Sequence, residues 1–442
     1  MDSGKPNPLL ASVKGTGHAR VVREFLQANP SVEFIRCQWQ DLSGILRVRV
    51  VTKTYAAELA LGNKPLQSAP LSLHCLADNS YLPFSPGVHY LYPDWTSLRR
   101  TTDNYGMVMC AVVESITGEQ TLNMALCPRQ TLTNVLRAAS DQYGLRFLVG
   151  FEIEFCIVSV SSDGDILPAS SKIGRCAALG MREPHFRIVE ECVRELQKVG
   201  LKINTFHIEG NSGQYEIPLA PLPPMQAVDQ LILAHDVLKT TVARHGCVAT
   251  MSPRPGTGQQ SNGQHVHISL DPPDNEESFL AGLLESLPML CAFGLPYEIS
   301  YERVKEFEAG RIVGWGTENR AFPIRKIEKG HWELRFVDAT SNMYLTLSAI
   351  IAAGIRGLQD QRLCRWPDAS IRRSESPFRD PIEFLPVDFE SALMLLEKCM
   401  SSLDKSIDRR IIRHYLRIKR QELSRLRTQE AKSIRTLLAL LF

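Results

Sequence analysis

Ionisable side chains recur at every second position in short stretches of the sequence that are otherwise apolar. Glu152 and Glu154 are two residues apart, as are His265 and His267. Successive side chains of a β-strand point to opposite faces, so each pair shares one face and its apolar neighbours occupy the other. The four stretches are residues 151–155, 214–217, 264–268 and 332–336. This pattern predicts a sheet whose polar face lines a site for metal ions and phosphate.

The carboxylates of this pattern, with one histidine, supply the donor atoms that hard divalent cations prefer. Mg²⁺ and Mn²⁺ bind several oxygen ligands, and one imidazole among carboxylates suits either ion. One such glutamate alone is more often an exposed strand residue, but six residues of this kind favour a shared site. No spacing of cysteine and histidine suggests zinc. The candidate metal ligands are Glu152, Glu154, Glu209, Glu216, His265 and Glu333.

Four arginines surround the last of these glutamates in the sequence. Each alone would be equally well explained by a surface ion pair, but guanidinium groups match the geometry of carboxylates and phosphates. Beside a metal site they indicate phosphoryl transfer, in which positioning and charge neutralisation provide most of the catalysis. The sequence has no Walker-type phosphate loop, so a nucleotide would be bound in another way. The arginines are Arg303, Arg320, Arg325 and Arg335.

The composition is that of a chain large enough for two or three domains. Its 442 residues carry a net charge of +2 and are 44% hydrophobic, so the whole chain gives no signal for binding a polyanion or a membrane. Eleven cysteines without a C-x-x-C pair indicate reduced thiols. No secretory signal is visible, and the longest apolar stretch, residues 345–355, is too short to cross a bilayer. We therefore expect a soluble cytoplasmic protein.

The elements that must position the polar residues fall into two predicted domains. Residues 1–17 are rich in Gly, Pro, Ser and Asn and are expected to be disordered. Residues 18–118 form a small β-rich domain, in which residues 32–51 predict a hairpin and residues 63–97 predict loops. Residues 119–442 alternate strands with amphipathic helices. The predicted helices cover residues 131–143, 185–199, 225–245, 277–293 and 344–359.

The C-terminal stretch, residues 405–435, predicts a basic amphipathic helix. Its arginines could contact a nucleic acid, but no aromatic side chains accompany the charge as stacking platforms. A solvated helix face explains the pattern better. We therefore expect no nucleic-acid partner.

Several ordered motifs resemble the glutamine synthetase superfamily over roughly residues 20–435. Residues 210–216, after Glu209, resemble the family element glutamate-x-x-x-Gly-Gln-x-Glu. Residues 249–269 resemble the family's ATP-region signature. Residues 318–325 and 333–338 resemble its phosphate-binding arginines and last metal ligand.

The resemblance implies an α+β protein with a small β-grasp N-terminal domain and a catalytic domain built on a curved antiparallel sheet flanked by helices. It implies ATP with Mg²⁺ or Mn²⁺ as cofactors. It also implies a homo-oligomer of stacked rings, with each active site lying between one catalytic domain and a neighbour's N-terminal domain. The small-molecule partners would be ATP, an amine, and glutamate or a related acid.

The resemblance further implies a role for each polar residue. One cation would be surrounded by Glu154, Glu209 and Glu216. Near the nucleotide phosphates would lie Glu152, His265 and Glu333. The implied nucleotide-binding residues are His267, Ser269, Asn204 and Arg325. The implied substrate-binding residues are Arg303, Gln260, Ser261 and Arg335. The implied catalytic residues are Glu308, Arg320, Arg325 and, from the adjacent subunit, Asp41.

The implied reaction has two steps. ATP phosphorylates the γ-carboxylate of glutamate, and an amine then displaces phosphate from the acyl phosphate. Metal ions and arginines neutralise the charge on the transferred group. Glu308 aligns with the flap glutamate that guards the intermediate and accepts the amine proton.

The departures from the family pattern leave three hypotheses open. The family's ammonium-binding aspartate stretch has no counterpart, since residues 69–79 read APLSLHCLADN, and the loop usually reading Asn-Gly reads Gln260-Ser261. A ligase that joins glutamate to an organic amine other than ammonia keeps every metal and arginine position. A genuine glutamine synthetase is disfavoured by the lost aspartate. A non-catalytic structural or signalling protein would be consistent with the altered loop.

Overall fold

The structure is a computed structural model of the full chain. It describes residues 16–62, 66–84, 87–116, 123–170, 174–210, 212–256, 261–370, 382–403 and 406–442. The disorder predicted for residues 1–17 was wrong for Thr16 and Gly17, which begin a helix, and otherwise lies outside the described residues. The predicted substrate contact of Gln260 also lies outside them.

A mixed sheet forms the centre of the N-terminal region. Its strands are β1 (Phe34–Gln40), β2 (Leu46–Thr52), β3 (Leu66–Ser68), β4 (Gly87–Pro93), β5 (Arg99–Arg100) and β6 (Tyr105–Ile116). The order is β2-β1-β6-β4-β3, with β1 parallel to β6 and β5 on β6. Helices α1 (Thr16–Ala28) and α2 (Lys53–Ala60) flank it. The predicted hairpin is confirmed as β1–β2.

The prediction of loops throughout residues 63–97 was wrong, because β3 and β4 fall in that stretch. Prolines on either side obscured an alternation that runs from Val88 to Tyr92. Pro93 is tolerated because it is the last residue of its strand.

A larger sheet carries the polar stretches. Its long central strand is β7 (Arg146–Val160), and the order is β13-β14-β15-β12-β7-β10-β9, with β8 and β11 also on β7. Its neighbours pair antiparallel, except that β13 and β14 are parallel. The other strands are β8 (Ile166–Pro168), β9 (His207–Ile208), β10 (Gln214–Pro218), β11 (Val248–Thr250), β12 (Gln264–Asp271), β13 (Trp315–Thr317), β14 (Ile324–Glu328) and β15 (His331–Leu334).

The predicted helices are present with ends shifted by a few residues at most. They are α3 (Pro128–Tyr143), α4 (Phe186–Lys198), α5 (Pro224–Ala243), α6 (Glu276–Gly294) and α7 (Met343–Gln359). Helix α8 (Phe389–Cys399) follows. The C-terminal stretch predicted to be helical consists of two helices, α9 (Arg409–Leu426) and α10 (Ala431–Leu441).

Helix α6 corrects the expectation that residues 345–355 are the longest apolar stretch. Among the described residues it is the helix with the length and composition to cross a membrane, yet 78% of its most apolar window is buried inside the protein. It packs against α7 so closely that a Cβ on Gly282 would meet the backbone of Gly357. It is a core helix.

The N-terminal sheet contributes side chains to two hydrophobic cores. Val108 and Cys110 of β6 belong to a core within that region, whereas Met107 and Met109 join the large core beneath β7 and its helices. Alternation along one strand therefore attaches the small sheet to the larger body. The β-grasp assignment and the boundary at residue 118 stay predictions. All eleven cysteines are free, as expected.

Candidate active site

The register of the large sheet brings the polar residues opposite one another. Glu152 of β7 pairs with His265 of β12, and Glu154 pairs with Glu216 of β10. On the other side, Glu333 of β15 pairs with His267. Facing residues on adjacent strands lie within side-chain contact, so the predicted polar face is continuous across four strands.

One cluster of carboxylates consists of Glu154, Glu209 and Glu216. One oxygen from each lies within 4.8 Å of the other two. Glu209 follows β9 directly, and its backbone nitrogen donates a hydrogen bond to Gln214 O at 2.9 Å, which fixes it beside β10. Glu209 therefore lies in a loop, whereas the sequence pattern predicted it on a strand.

A second cluster consists of Glu152, His267 and Glu333, whose ligand atoms also lie within 4.8 Å of one another. His267 Nε2 lies 3.1 Å from Glu152 Oε1. His267 was predicted to contact the nucleotide, and the structure puts its imidazole among the candidate metal ligands as well. Ser269 follows on the same face of β12, opposite His331.

His265 lies between the two clusters. Its Nδ1 is 2.8 Å from Glu152 Oε2 and 3.3 Å from Glu333 Oε1, and its Nε2 is 3.8 Å from Glu154 Oε1. All six predicted metal ligands are thus neighbours. Two residues before His265, Gly263 donates its backbone N–H to the Glu154 carboxylate at 2.8 Å. A Cβ at Gly263 would collide with the His265 ring, so this position favours glycine.

The donor set fits divalent cations, because several carboxylates are buried together with too few positive charges among them. Burial, followed by the charges of Glu152 and Glu154, raises the pKa of Glu216 to about 9. Burial and the charge of Glu154 also raise the pKa of Glu209. Burial acts the same way on Glu152, but hydrogen bonds from its two histidines hold the pKa of that carboxyl well below its ordinary value. Cations would relieve this repulsion.

The raised pKa of Glu216 predicts that cation binding releases a proton. The carboxyl is protonated at neutral pH and must ionise before it binds a metal, so the affinity for Mg²⁺ should rise from about pH 6 to about pH 9, by at most roughly tenfold per pH unit. Without a cation, the same shift lowers folding stability as the pH rises from 4.5 towards 9. Isothermal titration calorimetry in buffers of different ionisation enthalpy measures both the affinity and the proton count.

The matched control for this prediction is an exposed glutamate. Glu216→Gln should remove most of the pH dependence of Mg²⁺ affinity, whereas Glu277→Gln on the outer face of α6 should keep it. An affinity that stays constant from pH 6 to 9 in the parent protein would contradict the assignment of Glu216.

The four predicted arginines differ in how deeply their side chains are buried. Arg325 Nη1 donates to Glu333 at 2.9 Å, and Arg335 forms a closer ion pair with the same carboxylate. Arg320 is exposed and lines the cavity over the first cluster. Arg303 also lines it but is buried, with 1% of its side chain exposed. Its guanidinium donates to the backbone oxygens of Val337 and Arg335.

A short hydrogen bond joins the loop that contains Ser261 to the segment that contains Glu308. Ser261 Oγ donates to Glu308 Oε2 at 2.5 Å, and Lys305 Nζ lies 3.0 Å from Glu308 Oε1. Both Ser261 and Glu308 line a cavity of about 470 Å³ above the first cluster. Glu308 therefore lines the same cavity as the first cluster, and its role as a proton acceptor stays a prediction.

Two predicted site residues lie elsewhere in the chain. The Asp41 carboxylate is fully buried in the β1–β2 turn, where it accepts hydrogen bonds from the backbone of Ser43 and Ile45 and from Arg47 Nε at 2.7 Å. These bonds stabilise its own turn, and a role in a neighbour's site stays a prediction that requires them to open. Asn204 is exposed before β9 and is not among the described residues lining the cavity.

The sequence interpretation missed several residues around the clusters. His207 Nε2 lies 3.8 Å from Glu209, and His331 Nε2 lies 3.1 Å from His267 Nδ1. Both histidines sit two positions from a predicted ligand, so the alternation that identified the glutamates could also have identified them. Arg175, 3.3 Å from Glu209, comes from a loop and carries no such signal.

Comparisons with known proteins relate the chain to one family. Residues 125–436 match the family described as glutamine synthetase, catalytic domain. Protein fluG of Emericella nidulans is 31% identical over 430 residues, covering 94% of this chain and 49% of fluG. Gamma-glutamylpolyamine synthetase GlnA3 of Streptomyces coelicolor is 28% identical, covering 72% of this chain and 73% of that protein. The chain thus spans about half the length of fluG.

Solved structures support the same fold. The structure titled GmaS/ADP complex superimposes with a TM-score of 0.79 at 21% identity, covering 94% of this chain and 98% of the other. A structure titled a novel glutamine synthase homolog gives a TM-score of 0.77 at 23% identity, covering 93% and 99%. The expectation of an α+β fold with a curved antiparallel sheet flanked by helices is confirmed.

Proposed function

We propose a function for this chain from its family, since the chain belongs to the glutamine synthetase family. Enzymes of this family generally use ATP and divalent metals to form carbon–nitrogen bonds. The function supported best is that of an ATP-dependent carboxylate–amine ligase that forms an amide through an acyl phosphate. The single observation that carries it is the pair of ligand clusters joined by His265 beneath a cavity lined by arginines.

In the first step, the carboxylate of the acid attacks the γ-phosphorus of ATP, and ADP leaves. Glu154, Glu209 and Glu216 would hold one Mg²⁺ or Mn²⁺, and the cluster around Glu152 and Glu333 would hold another. Such cations neutralise charge on the transferred group. Arg325 and Arg335 already lie against Glu333, from which their guanidinium groups could reach phosphate oxygens. ATP would lie on the side of His267 and Ser269.

In the second step, the amine attacks the acyl carbon, phosphate leaves, and the amine loses a proton. Glu308 is the proposed acceptor of that proton, since it lines the cavity and is held by Ser261 and Lys305. Arg303 is the proposed partner of the acid's other carboxylate. Its buried Nε has no hydrogen-bond partner among the described residues. A fixed guanidinium can bind a carboxylate in a bidentate manner.

The amine is proposed to be organic and cationic rather than ammonia, and the acid to be glutamate. The cavity wall carries the carboxylates of Glu306 and Glu308 in addition to the proposed metal ligands, which favours a positively charged group. The family's ammonium-binding aspartate is absent from residues 69–79. One relative is by name a gamma-glutamylpolyamine synthetase, which suggests the same class of amine.

The test supplies purified protein with ATP, Mg²⁺ and glutamate, and varies the amine across ammonia, methylamine, diamines and polyamines. Phosphate release and the mass of the product are measured for each amine. We expect amine-dependent phosphate release with at least one organic amine and a γ-glutamyl product. The matched control omits the acid, because phosphate release without glutamate reports ATP hydrolysis alone.

Two other outcomes would each overturn the proposal. Ammonia used as efficiently as every larger amine would indicate a genuine glutamine synthetase. Absence of ATP binding together with absence of phosphate release would indicate a non-catalytic member of the family.

The assembly and location of the protein complete the proposal. We propose a cytoplasmic homo-oligomer of stacked rings in which the N-terminal sheet of one subunit borders the site of the next. The partners would be small molecules alone. Size-exclusion chromatography with light scattering tests the assembly, and a monomer with full activity would exclude shared active sites.

A further inference from the structure

A third group of potential metal ligands lies far from the active-site sheet, inside the N-terminal sheet. It consists of His74, His89 and Glu114. His89 on β4 and Glu114 on β6 face each other across the antiparallel pair. His74 ends the short 3₁₀ helix Pro70–Leu73 and comes from the stretch that replaces the family's ammonium-binding segment.

The three side chains converge through specific atoms. His89 Nε2 lies 3.5 Å from Glu114 Oε1, and His74 Nε2 lies 3.8 Å from the same oxygen. One ligand atom from each residue lies within 4.8 Å of the other two. Ligands of a tetrahedral zinc ion at about 2.1 Å from the metal are separated by roughly 3.4 Å. The observed separations are close to that value and longer than a strong hydrogen bond.

The surroundings bury the group, and its two imidazoles are polar partners of the Glu114 carboxylate. His74 and His89 are 7% and 4% exposed, and among the described residues neither Nδ1 has a hydrogen-bond partner. An ion bound to the two Nε2 atoms would compensate the charge of the buried Glu114 carboxylate, whereas the two Nδ1 atoms lie on the other edge of each ring and would not contact it. The nearest further imidazole, His414, bonds Leu73 O at 3.1 Å and is therefore engaged with the backbone.

The backbones that carry the ligands are fixed before any ion binds. His74 donates its N–H to Leu71 O and accepts a bond from Leu82 N, both at 2.9 Å. His89 lies in a strand paired on both sides. Glu114 exchanges two backbone hydrogen bonds with Asn123. Such preorganisation lowers the entropy that a metal ion must offset when it binds.

We propose that His74 Nε2, His89 Nε2 and the Glu114 carboxylate bind one divalent transition-metal ion of the Zn²⁺ class. Two imidazoles with one carboxylate select Zn²⁺ or Co²⁺ over Mg²⁺, which prefers oxygen ligands alone. The ion joins β4 and β6 to the segment that follows the 3₁₀ helix. It therefore holds residues 70–76 on the sheet beneath α9, and none of its three ligands is among the described residues that line the active-site cavity of the same subunit.

No zinc motif is visible in the sequence because the three ligands are widely separated along the chain. Short motifs such as C-x-x-C or H-x-x-x-H reveal sites built on one turn or hairpin. This site instead depends on the register of β4 and β6 and on the path of the intervening segment. The earlier expectation that no zinc site exists applied to sequence spacing only.

The test uses the full-length, chelator-treated protein with Co²⁺ in the presence of millimolar Mg²⁺, and Co²⁺ can also reach the imidazoles of His265 and His267, so the site is assigned by the signal that the ligand variants lose. We expect about one equivalent of Co²⁺ to bind with the intense visible absorption of tetrahedral coordination, and Zn²⁺ to displace it. His89→Gln and His74→Gln should each weaken Co²⁺ binding by about 100-fold. His245→Gln, at an exposed histidine paired with Glu191, should bind Co²⁺ like the parent.

Two results would overturn the site. Parent protein that shows no tetrahedral Co²⁺ spectrum under these conditions would leave the cluster as a hydrogen-bonded group. A spectrum unchanged in folded His89→Gln and His74→Gln would place the ion elsewhere. If one histidine variant fails to fold, the other variant and Glu114→Gln still test whether the tetrahedral signal depends on these three ligands.

Discussion

Replacing Glu333 with alanine is expected to reduce turnover by about 1,000-fold or more. Its carboxylate is 1% exposed and belongs to the second ligand cluster, where it also binds Arg325 and Arg335. Without it, the cation proposed near the phosphates would lose a ligand, and two guanidinium groups lose the partner that orients them. Steady-state phosphate release with saturating acid and amine measures the effect.

The control for this prediction lies on the adjacent strand. Glu328 on β14 is 75% exposed at its side chain, so Glu328→Ala should retain nearly full turnover. Glu333→Gln keeps the shape and tests whether charge is what matters. Circular dichroism and thermal unfolding check that each variant is folded. Turnover within tenfold of the parent in folded Glu333→Ala would refute the assignment of this glutamate as a ligand.

Replacing Arg303 with lysine is expected to raise the KM for the acid by about 10- to 100-fold, since a hydrogen-bonded charged contact is lost. Lysine retains the charge but not the planar fork that grips a carboxylate. The KM for ATP should change little, because Arg303 lines the cavity over the first cluster rather than the side of His267. Initial rates with the acid and ATP varied separately distinguish the two effects.

A second arginine-to-lysine change provides the comparison for Arg303. Arg311 is exposed and its guanidinium lies over the Phe384 ring, so Arg311→Lys should leave both KM values unchanged. If Arg303→Lys raises the KM for ATP instead of that for the acid, the guanidinium serves the nucleotide. If neither KM moves while the protein remains folded, Arg303 acts only by bonding the backbone of Val337.

Much of the catalytic sheet could be predicted because its residues alternate. Glu152 and Glu154, or His265 and His267, must share a face of any strand that contains them, and apolar residues between them must face a core. Helices with strong amphipathic periodicity, such as α4, were predicted within a few residues for the same reason. Local geometry alone is sufficient for these inferences.

Other features depend on contacts that no local pattern encodes. The register that sets Glu154 against Glu216 follows from the whole sheet, and so does the entry of Arg175 from a loop. The strands β3 and β4 were obscured by prolines at their borders. Asp41 was linked to catalysis by resemblance, yet its carboxylate bonds its own turn, an arrangement that only the folded hairpin reveals.

The two ligand clusters share a single piece of backbone, since Glu152 and Glu154 are both on β7. Two residues of an extended strand span about 6.8 Å, a length that side-chain changes elsewhere cannot alter. The strand therefore fixes the distance between the two proposed cations. Loops at the rim of the cavity can therefore vary in sequence without changing the spacing of the two ligand clusters.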